Sequence, residues 1–160
     1  MKIAPADLES PALRALLAEH LEEMHRVTPA GRVHALPLEA LRGADVTIWC
    51  AFVGDSLAGC GALKALDPRH GELKAMRTAR AHLRAGVASA LVRHLLAEAE
   101  RRGYERVSLE TGSSAAFDPA RRLYEGFGFA PCGPFGDYRP DPHSSFLTRP
   151  VGSSRARTSP

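Results

Sequence analysis

One segment in the middle of the chain constrains the fold more than any other. Residues 72–99 have the pattern of a strand, then a basic loop of small residues, then a helix, and the loop holds Gly86 and Ala88. Both residues leave space beside the backbone. The first amides of a helix have no acceptor within it and lie at the positive end of its dipole. The segment therefore predicts an anion site, most naturally for a pyrophosphate, at the start of the helix.

Apolar periodicity and turn residues predict the remaining elements. Leucines at helical spacing follow Ser10-Pro11, a typical helix start, whereas β-branched and aromatic side chains dominate residues 46–53. Early hairpins and a later strand–helix–strand unit indicate a mixed sheet with helices packed on it. The expected helices cover about residues 11–25, 37–42, 87–101 and 118–126, and the expected strands about 46–53, 57–66, 72–78, 106–110, a stretch after Phe129, and 145–149.

The strands before the loop carry two further signals. Gly59 and Gly61 indicate a β-bulge in the second of the three early strands. Regular alternation in the third strand would place Leu73 and Ala75 on one face of the sheet and Met76 on the other.

Composition excludes several broad classes. The 160 residues carry a net charge of +3, and basic residues alternate with acidic ones, which argues against a nucleic-acid partner. No apolar run reaches the roughly 18 residues of a membrane span, and the N-terminus lacks a signal-peptide pattern. Cys50, Cys60 and Cys132 include no Cys-x-x-Cys pair, so neither a disulfide framework nor a zinc site is expected. We expect a cytoplasmic protein with one domain in residues 1–150 and a disordered tail in residues 151–160.

Two short motifs carry a family resemblance. Residues 83–88, Leu-Arg-Ala-Gly-Val-Ala, are similar to the pattern Arg/Gln-x-x-Gly-x-Gly/Ala, and residues 120–129 match Ala-x-x-Leu-Tyr-x-x-x-Gly-Phe. In this order they resemble the acetyl-CoA pyrophosphate loop and the tyrosine signature of the GNAT superfamily of N-acetyltransferases. The resemblance covers about residues 1–150. It implies an α/β (α+β) fold with a mixed, mostly antiparallel central sheet, flanking helices and a splayed strand pair at the acetyl-CoA site.

The sequence departs from the family pattern at two positions. Leu83 stands where Arg or Gln is usual, and Arg84 could supply the missing charge to a loop that holds phosphate mainly through backbone amides. Phe117 stands where many relatives have an Asn, so only a packing role is assigned to it. The early segments 25–29 and 34–36 resemble those of poorly characterised bacterial members of the superfamily.

The resemblance implies catalytic roles for two residues. Tyr124 would protonate the departing thiolate, and the structural alternative is a tyrosine that anchors the core. Glu72 is the first candidate for the base that takes the amine proton. A surface carboxylate paired with Lys64 or Lys74 is an equally weighted alternative for it.

Further residues are expected to contact the substrates. His25 and His34 are candidates at the acceptor, and ordinary polar loop histidines are the alternative. A backbone amide near the splayed strand would polarise the thioester carbonyl. The residues expected to bind acetyl-CoA are Met76, Arg77, Thr78, Arg84, Ala85, Gly86, Val87, Ala88 and Ser89.

The function implied by the resemblance is transfer of an acetyl group from acetyl-CoA to a primary amine of a small molecule or a peptide. Direct attack by the amine needs neither a metal ion nor a covalent enzyme intermediate. A non-catalytic acyl-CoA-binding or regulatory domain is the alternative. A dinucleotide-dependent oxidoreductase is excluded, since the chain lacks Gly-x-Gly-x-x-Gly after a strand. No nucleic-acid or membrane partner is expected, and the oligomeric state stays open, with a homodimer allowed.

Overall fold

The computed structural model describes residues 1–32 and 39–152, which form a seven-stranded sheet with three α-helices. The strand order is β1-β2-β3-β4-β5-β7-β6, and only the β4–β5 pair is parallel. The expected fold class is therefore confirmed. The elements are β1 Lys2–Pro5, α1 Pro11–Val27, β2 Val46–Val53, β3 Ser56–Asp67, β4 His70–Thr78, α2 Val87–Arg101, β5 Arg106–Gly112, α3 Asp118–Gly126, β6 Ala130–Pro131 and β7 Ser144–Pro150.

The two central parallel strands separate at their C-terminal ends. Pairing between β4 and β5 stops at Leu73 and Leu109, although β4 continues to Thr78 and β5 to Gly112. The strands leave a wedge-shaped opening, so the expected splayed strand pair is confirmed. Among the described strands, none pairs with the backbone groups of β4 that face this opening.

A β-bulge in β4 changes which side chains face each side of the sheet. Lys74 pairs with Ala62 and Arg77 with Cys60, so two residues of β4 oppose Gly61 alone. One of these two, Ala75, has a left-handed φ of 52°.

The bulge makes the expected alternation wrong, because Leu73 and Met76 both pack on the α2 side. Ala75 packs instead against the cluster beneath α1. The expected bulge in β3 is confirmed beside Gly59, where Ala58 is the extra residue opposite β2, whereas opposite Gly61 the extra residue lies in β4. A Cβ on Gly61 would lie 2.6 Å from the Sδ atom of Met76.

Apolar side chains cover both faces of the sheet. Beneath α2 and α3, the core includes Trp49, Leu95 and Phe129, which confirms the interpretation of Trp49 as a core residue. Beneath α1, a second cluster contains Cys50 and Cys60, which are buried as expected. Within residues 1–32 and 39–152, no helix has both the length and the apolar character needed to cross a bilayer.

The chain differs from the expected boundaries in a few places. The short strand β1 was not expected, since a four-residue edge strand carries almost no periodic signal. The predicted helix over 37–42 is a 3₁₀ turn at Ala40–Arg42, and residues 37 and 38 lie outside the described part. Val151 is buried, and its amide donates to the carbonyl of Glu105, so packing extends past residue 150. Residues 153–160 of the expected tail also lie outside the described residues.

Candidate active site

The N-terminus of α2 presents backbone amides that are not used in the hydrogen bonds of the helix. Its first intrahelical bond runs from the amide of Ala90 to the carbonyl of Gly86, so the amides of the preceding helical residues have no acceptor within the helix. Gly86 caps the helix with a left-handed φ of 81°, and a Cβ there would meet open space. The preceding Arg84 is exposed and also has a positive φ of 62°. This geometry fits the anion site that the sequence predicts.

A large cavity of about 540 Å³ runs from this helix end to the opening between β4 and β5. Met76, Arg77, Thr78 and Ala88, all predicted contacts of acetyl-CoA, line it. The side chain of Val87 is buried instead, so this residue can offer a ligand only its backbone. The other lining residues are Glu23, Met24, Arg26, Val27, Arg80, Leu83, Leu91, Ala116, Phe117, Pro119, Ala120, Leu123 and Tyr124.

A small cavity of about 180 Å³ lies on the other side of the opening, next to α1. Of the described residues that line it, Glu110 is the only one with a carboxylate. Its basic residues are His20 and Arg32 in or after α1, Lys74 and Arg77 in β4, and His143 just before β7. The lining residues are His20, Met24, Thr28, Arg32, Leu73, Lys74, Ala75, Met76, Arg77, Leu109, Glu110, Thr111, Gly112, Phe117, Ala120, Tyr124 and His143.

Tyr124 lies where the two cavities meet, because its side chain lines both. It belongs to α3, is 7% exposed, and packs edge-on against Phe129 with ring centroids 5.8 Å apart. Burial raises the pKa of its phenol. A protonated phenol is thus available at the junction.

Two glutamates near the opening differ in what they face. Glu110 lines the small cavity, and the hydroxyl of Ser144 donates to its Oε2 at 2.8 Å. Glu72, the predicted base, is 2% exposed and lines neither cavity. Its Oε2 accepts hydrogen bonds from Tyr138 at 2.6 Å and from Lys74 at 3.1 Å. The alternative pairing with Lys74 is therefore observed, but the pair is buried and does not lie on the surface.

The Glu72–Lys74–Tyr138 cluster connects the sheet to the loop before β7. The Nζ of Lys74 also donates to the Tyr138 hydroxyl at 2.8 Å. Burial and the negative charge of Glu72 raise the pKa of Tyr138, which keeps the phenol protonated. Lys74 itself lines the small cavity, so the buried cluster fixes one wall of that cavity.

His20 and Arg77 form another part of that wall, and sequence reasoning did not single out His20. Burial, assisted by the positive charge of Arg77, lowers the pKa of His20 to about 4, so its imidazole is neutral at pH 7. The Nη2 of Arg77 donates to Glu19 at 2.8 Å. The Nδ1 of His20 and the Nε of Arg77 are buried without a hydrogen-bond partner among the described residues.

Three other residues that the sequence analysis discussed are His25, His34 and Phe117. His25 is exposed and lines neither cavity, and His34 lies outside the described residues. Phe117 lines both cavities, and its ring covers Gly112, where a Cβ would clash with it. The described chain contains no group of His, Cys, Asp or Glu side chains arranged to hold a metal ion.

Comparison with known proteins gives matches along nearly the whole chain. The profile of the acetyltransferase (GNAT) family matches residues 11–129. The uncharacterized N-acetyltransferase YsnE of Bacillus subtilis (strain 168) is 56% identical over 149 residues, which are 93% of this chain and 99% of that protein. The uncharacterized N-acetyltransferase YedL of Escherichia coli (strain K12) is 51% identical over 142 residues, 89% of each chain. A GNAT family acetyltransferase from Elizabethkingia anophelis, crystallised with acetyl-CoA bound, has the same fold with a TM-score of 0.69, at 18% identity over 94% of this chain and 97% of that one.

Proposed function

This chain belongs to the GNAT family of acetyltransferases, and we propose that it transfers an acetyl group from acetyl-CoA to a primary amine. The position of Tyr124 carries the proposal, since its side chain lines both cavities where β4 and β5 separate. A donor in the large cavity and an acceptor in the small cavity would meet at its hydroxyl. The N-acetyltransferase names of the two bacterial relatives support the same reaction class.

The large cavity fits an acyl-CoA donor. We expect the amides at the start of α2 to bind the pyrophosphate, with Gly86 leaving room for close approach. Arg26 and Arg80 line the same cavity and can add positive charge near the phosphates. Beyond Leu73, amides of β4 that face the opening can donate to a thioester or pantetheine carbonyl.

The proposed reaction forms one bond and breaks another. The amine nitrogen attacks the thioester carbonyl carbon, a C–N bond forms, and the C–S bond breaks. Tyr124 donates its phenolic proton to the leaving sulfur and is reprotonated from solvent. The amine releases a proton to a carboxylate, which passes it to solvent, so the products are the acetylated amine and free CoA.

We assign the base role to Glu110 ahead of Glu72. The carboxylate of Glu110 belongs to the acceptor side of the opening and is oriented by Ser144. Glu72 is enclosed with Lys74 and Tyr138, so it can influence the acceptor only through those two side chains. Glu72 therefore suits the role of a positioning residue better than that of a base in direct contact with the amine.

Thioester consumption with a broad panel of amines tests the proposal. We expect acetylation of at least one amine, and Glu110→Gln should lower kcat by about 100-fold or more if Glu110 is the base. Glu72→Gln, which keeps the side-chain size, should lower kcat less. Tight CoA binding with no turnover across the panel would favour the non-catalytic alternative and contradict the proposal.

A further inference from the structure

The small cavity is lined by hydrogen-bond donors that the described residues do not fully use. Building on the proposed acetyl transfer, we propose that the acceptor is a small amine that also carries a carboxylate, as an amino acid does. The carboxylate would bind the Arg77, His20 and Lys74 side of the cavity, and the amine would face Glu110.

The first argument comes from donors that have no partner. Arg77 uses Nη2 on Glu19, but its buried Nε–H has no acceptor in the described chain. A buried donor left without an acceptor is destabilising, so an oxygen ligand that reaches it is favoured. The neighbouring Nδ1 of His20 is buried without a partner as well, and a neutral imidazole can place its proton on that nitrogen.

The second argument comes from counting the donors of Lys74. An ammonium group has three N–H donors, and Lys74 gives two of them to Glu72 and Tyr138. Its side chain is 9% exposed, and it lines the cavity. One donor of a nearly buried cation is thus left for a ligand oxygen.

The third argument is that the donors and the carboxylate lie on opposite sides of the opening. Arg77 and Lys74 come from β4, where each also pairs with a glutamate, and the neutral His20 comes from α1, whereas Glu110 comes from β5. Arg32 adds a further guanidinium to the lining and is 3.1 Å from Asp141. A zwitterion matches this arrangement at both ends, whereas an amine without a carboxylate leaves the donors of Arg77, His20 and Lys74 without an acceptor.

Cavity size limits the acceptor further. The volume of about 180 Å³ is below the roughly 300–1,000 Å³ of pockets that enclose drug-sized ligands. An amino acid is therefore a better fit than an aminoglycoside-sized molecule.

Matched substrates test the inference on the unmodified protein. Turnover is measured with the common L-amino acids and with the triplet L-leucine, leucinamide and 3-methylbutylamine, which share a side chain and differ at the carboxylate. At least one amino acid should have a kcat/KM about tenfold or more above those of its own amide and its decarboxylated amine. Spermidine and O-phosphoethanolamine complete the set, and a clear preference for the phosphate compound would overturn the carboxylate assignment.

A variant locates the carboxylate. Arg77→Met should raise KM for the preferred amino acid about tenfold and change KM for the corresponding amide much less. Arg14→Met, on the exposed side of α1, is the matched control and should leave both KM values unchanged.

The outcomes separate the two proposals. If amides and decarboxylated amines are acetylated as well as amino acids, the carboxylate inference is wrong and the acetyltransferase function stands. If no amine is acetylated while CoA binds, the proposed function itself fails.

Discussion

At the residue scale, Gly86 offers a matched pair of variants. Gly86 and Gly103 flank the two ends of α2, have φ values of 81° and 82°, and would both place a Cβ in open space. Glutamate strains the backbone equally at the two positions but brings negative charge to the proposed pyrophosphate site only in Gly86→Glu. We expect Gly86→Glu to weaken CoA binding about 100-fold or more and Gly103→Glu to leave it nearly unchanged, as measured by calorimetry. Equal affinity for the two variants would show that the loop does not bind phosphate.

Tyr124 carries the second residue-scale prediction. Tyr124→Phe removes the proposed proton donor without changing the packing against Phe129, so kcat should fall about tenfold to 1,000-fold while the Kd for CoA changes little. Tyr104→Phe alters an equally buried tyrosine beside the distant end of α2 and serves as the control. Single-turnover kinetics and CoA titration measure the two quantities. A loss of CoA affinity equal to the loss of kcat would point to a packing role.

The sequence predicts the site best where the role of a residue depends on the backbone of its own short segment. The short-range pattern predicts Gly86 as a small residue at a helix start, and the structure adds that its φ is left-handed. The participation of Glu110 and His20 depends on which elements meet in space. Neither lies in a local motif, and acidic or basic spacing along the chain gives no sign that both line one cavity.

At the element scale, the bulge in β4 explains the error in strand facing. Alternation assumes one residue per pairing position, and the additional residue opposite Gly61 reverses the pattern after Lys74. The sequence indicates a bulge at Gly61, the glycine against which Met76 packs. It does not indicate that the extra residue at this point lies in β4. The reversal directs Arg77 toward α1, where its Nη2 donates to Glu19 and the residue lines the small cavity.

The packing of α2 against the sheet gives an element-scale prediction. A Cβ on Gly59 would lie 2.7 Å from the carbonyl oxygen of Arg77 and 2.8 Å from Cγ1 of Val87, at the first turn of the helix. Gly59→Ala should therefore lower the free energy of unfolding by about 1–3 kcal/mol in urea denaturation, since backbone must shift to relieve the contact. Gly133→Ala adds a methyl group to open space and is the control. Unchanged stability of Gly59→Ala would mean that the helix end adjusts without cost.

At the scale of the whole molecule, the order of elements after the edge strand β1 was predictable and the assembly of the small cavity was not. Hairpins, the central crossover and the tyrosine signature follow from periodicity and motif, which operate over short stretches of chain. The cavity draws on α1, β4, β5 and the loop before β7, and the ion pair of Arg32 with Asp141 joins residues 109 positions apart. Such contacts are set by packing of the complete fold.

Acid unfolding of the whole protein tests the burial of His20. Its pKa is about 4 in the folded chain and 6.5 as the ordinary value expected when unfolded, so the unfolded chain takes up the proton first as pH falls. The stabilising contribution of neutral His20 is complete above about pH 6.5 and is lost as pH falls through 4. Glutamine does not titrate, so we expect the unfolding free energy of His20→Gln to decrease less than that of the parent protein as pH falls across this window. The difference between the two decreases should be on the order of 2 kcal/mol. Denaturant titrations of parent and variant at several pH values measure the difference, and parallel curves would show that His20 is solvated in the folded protein.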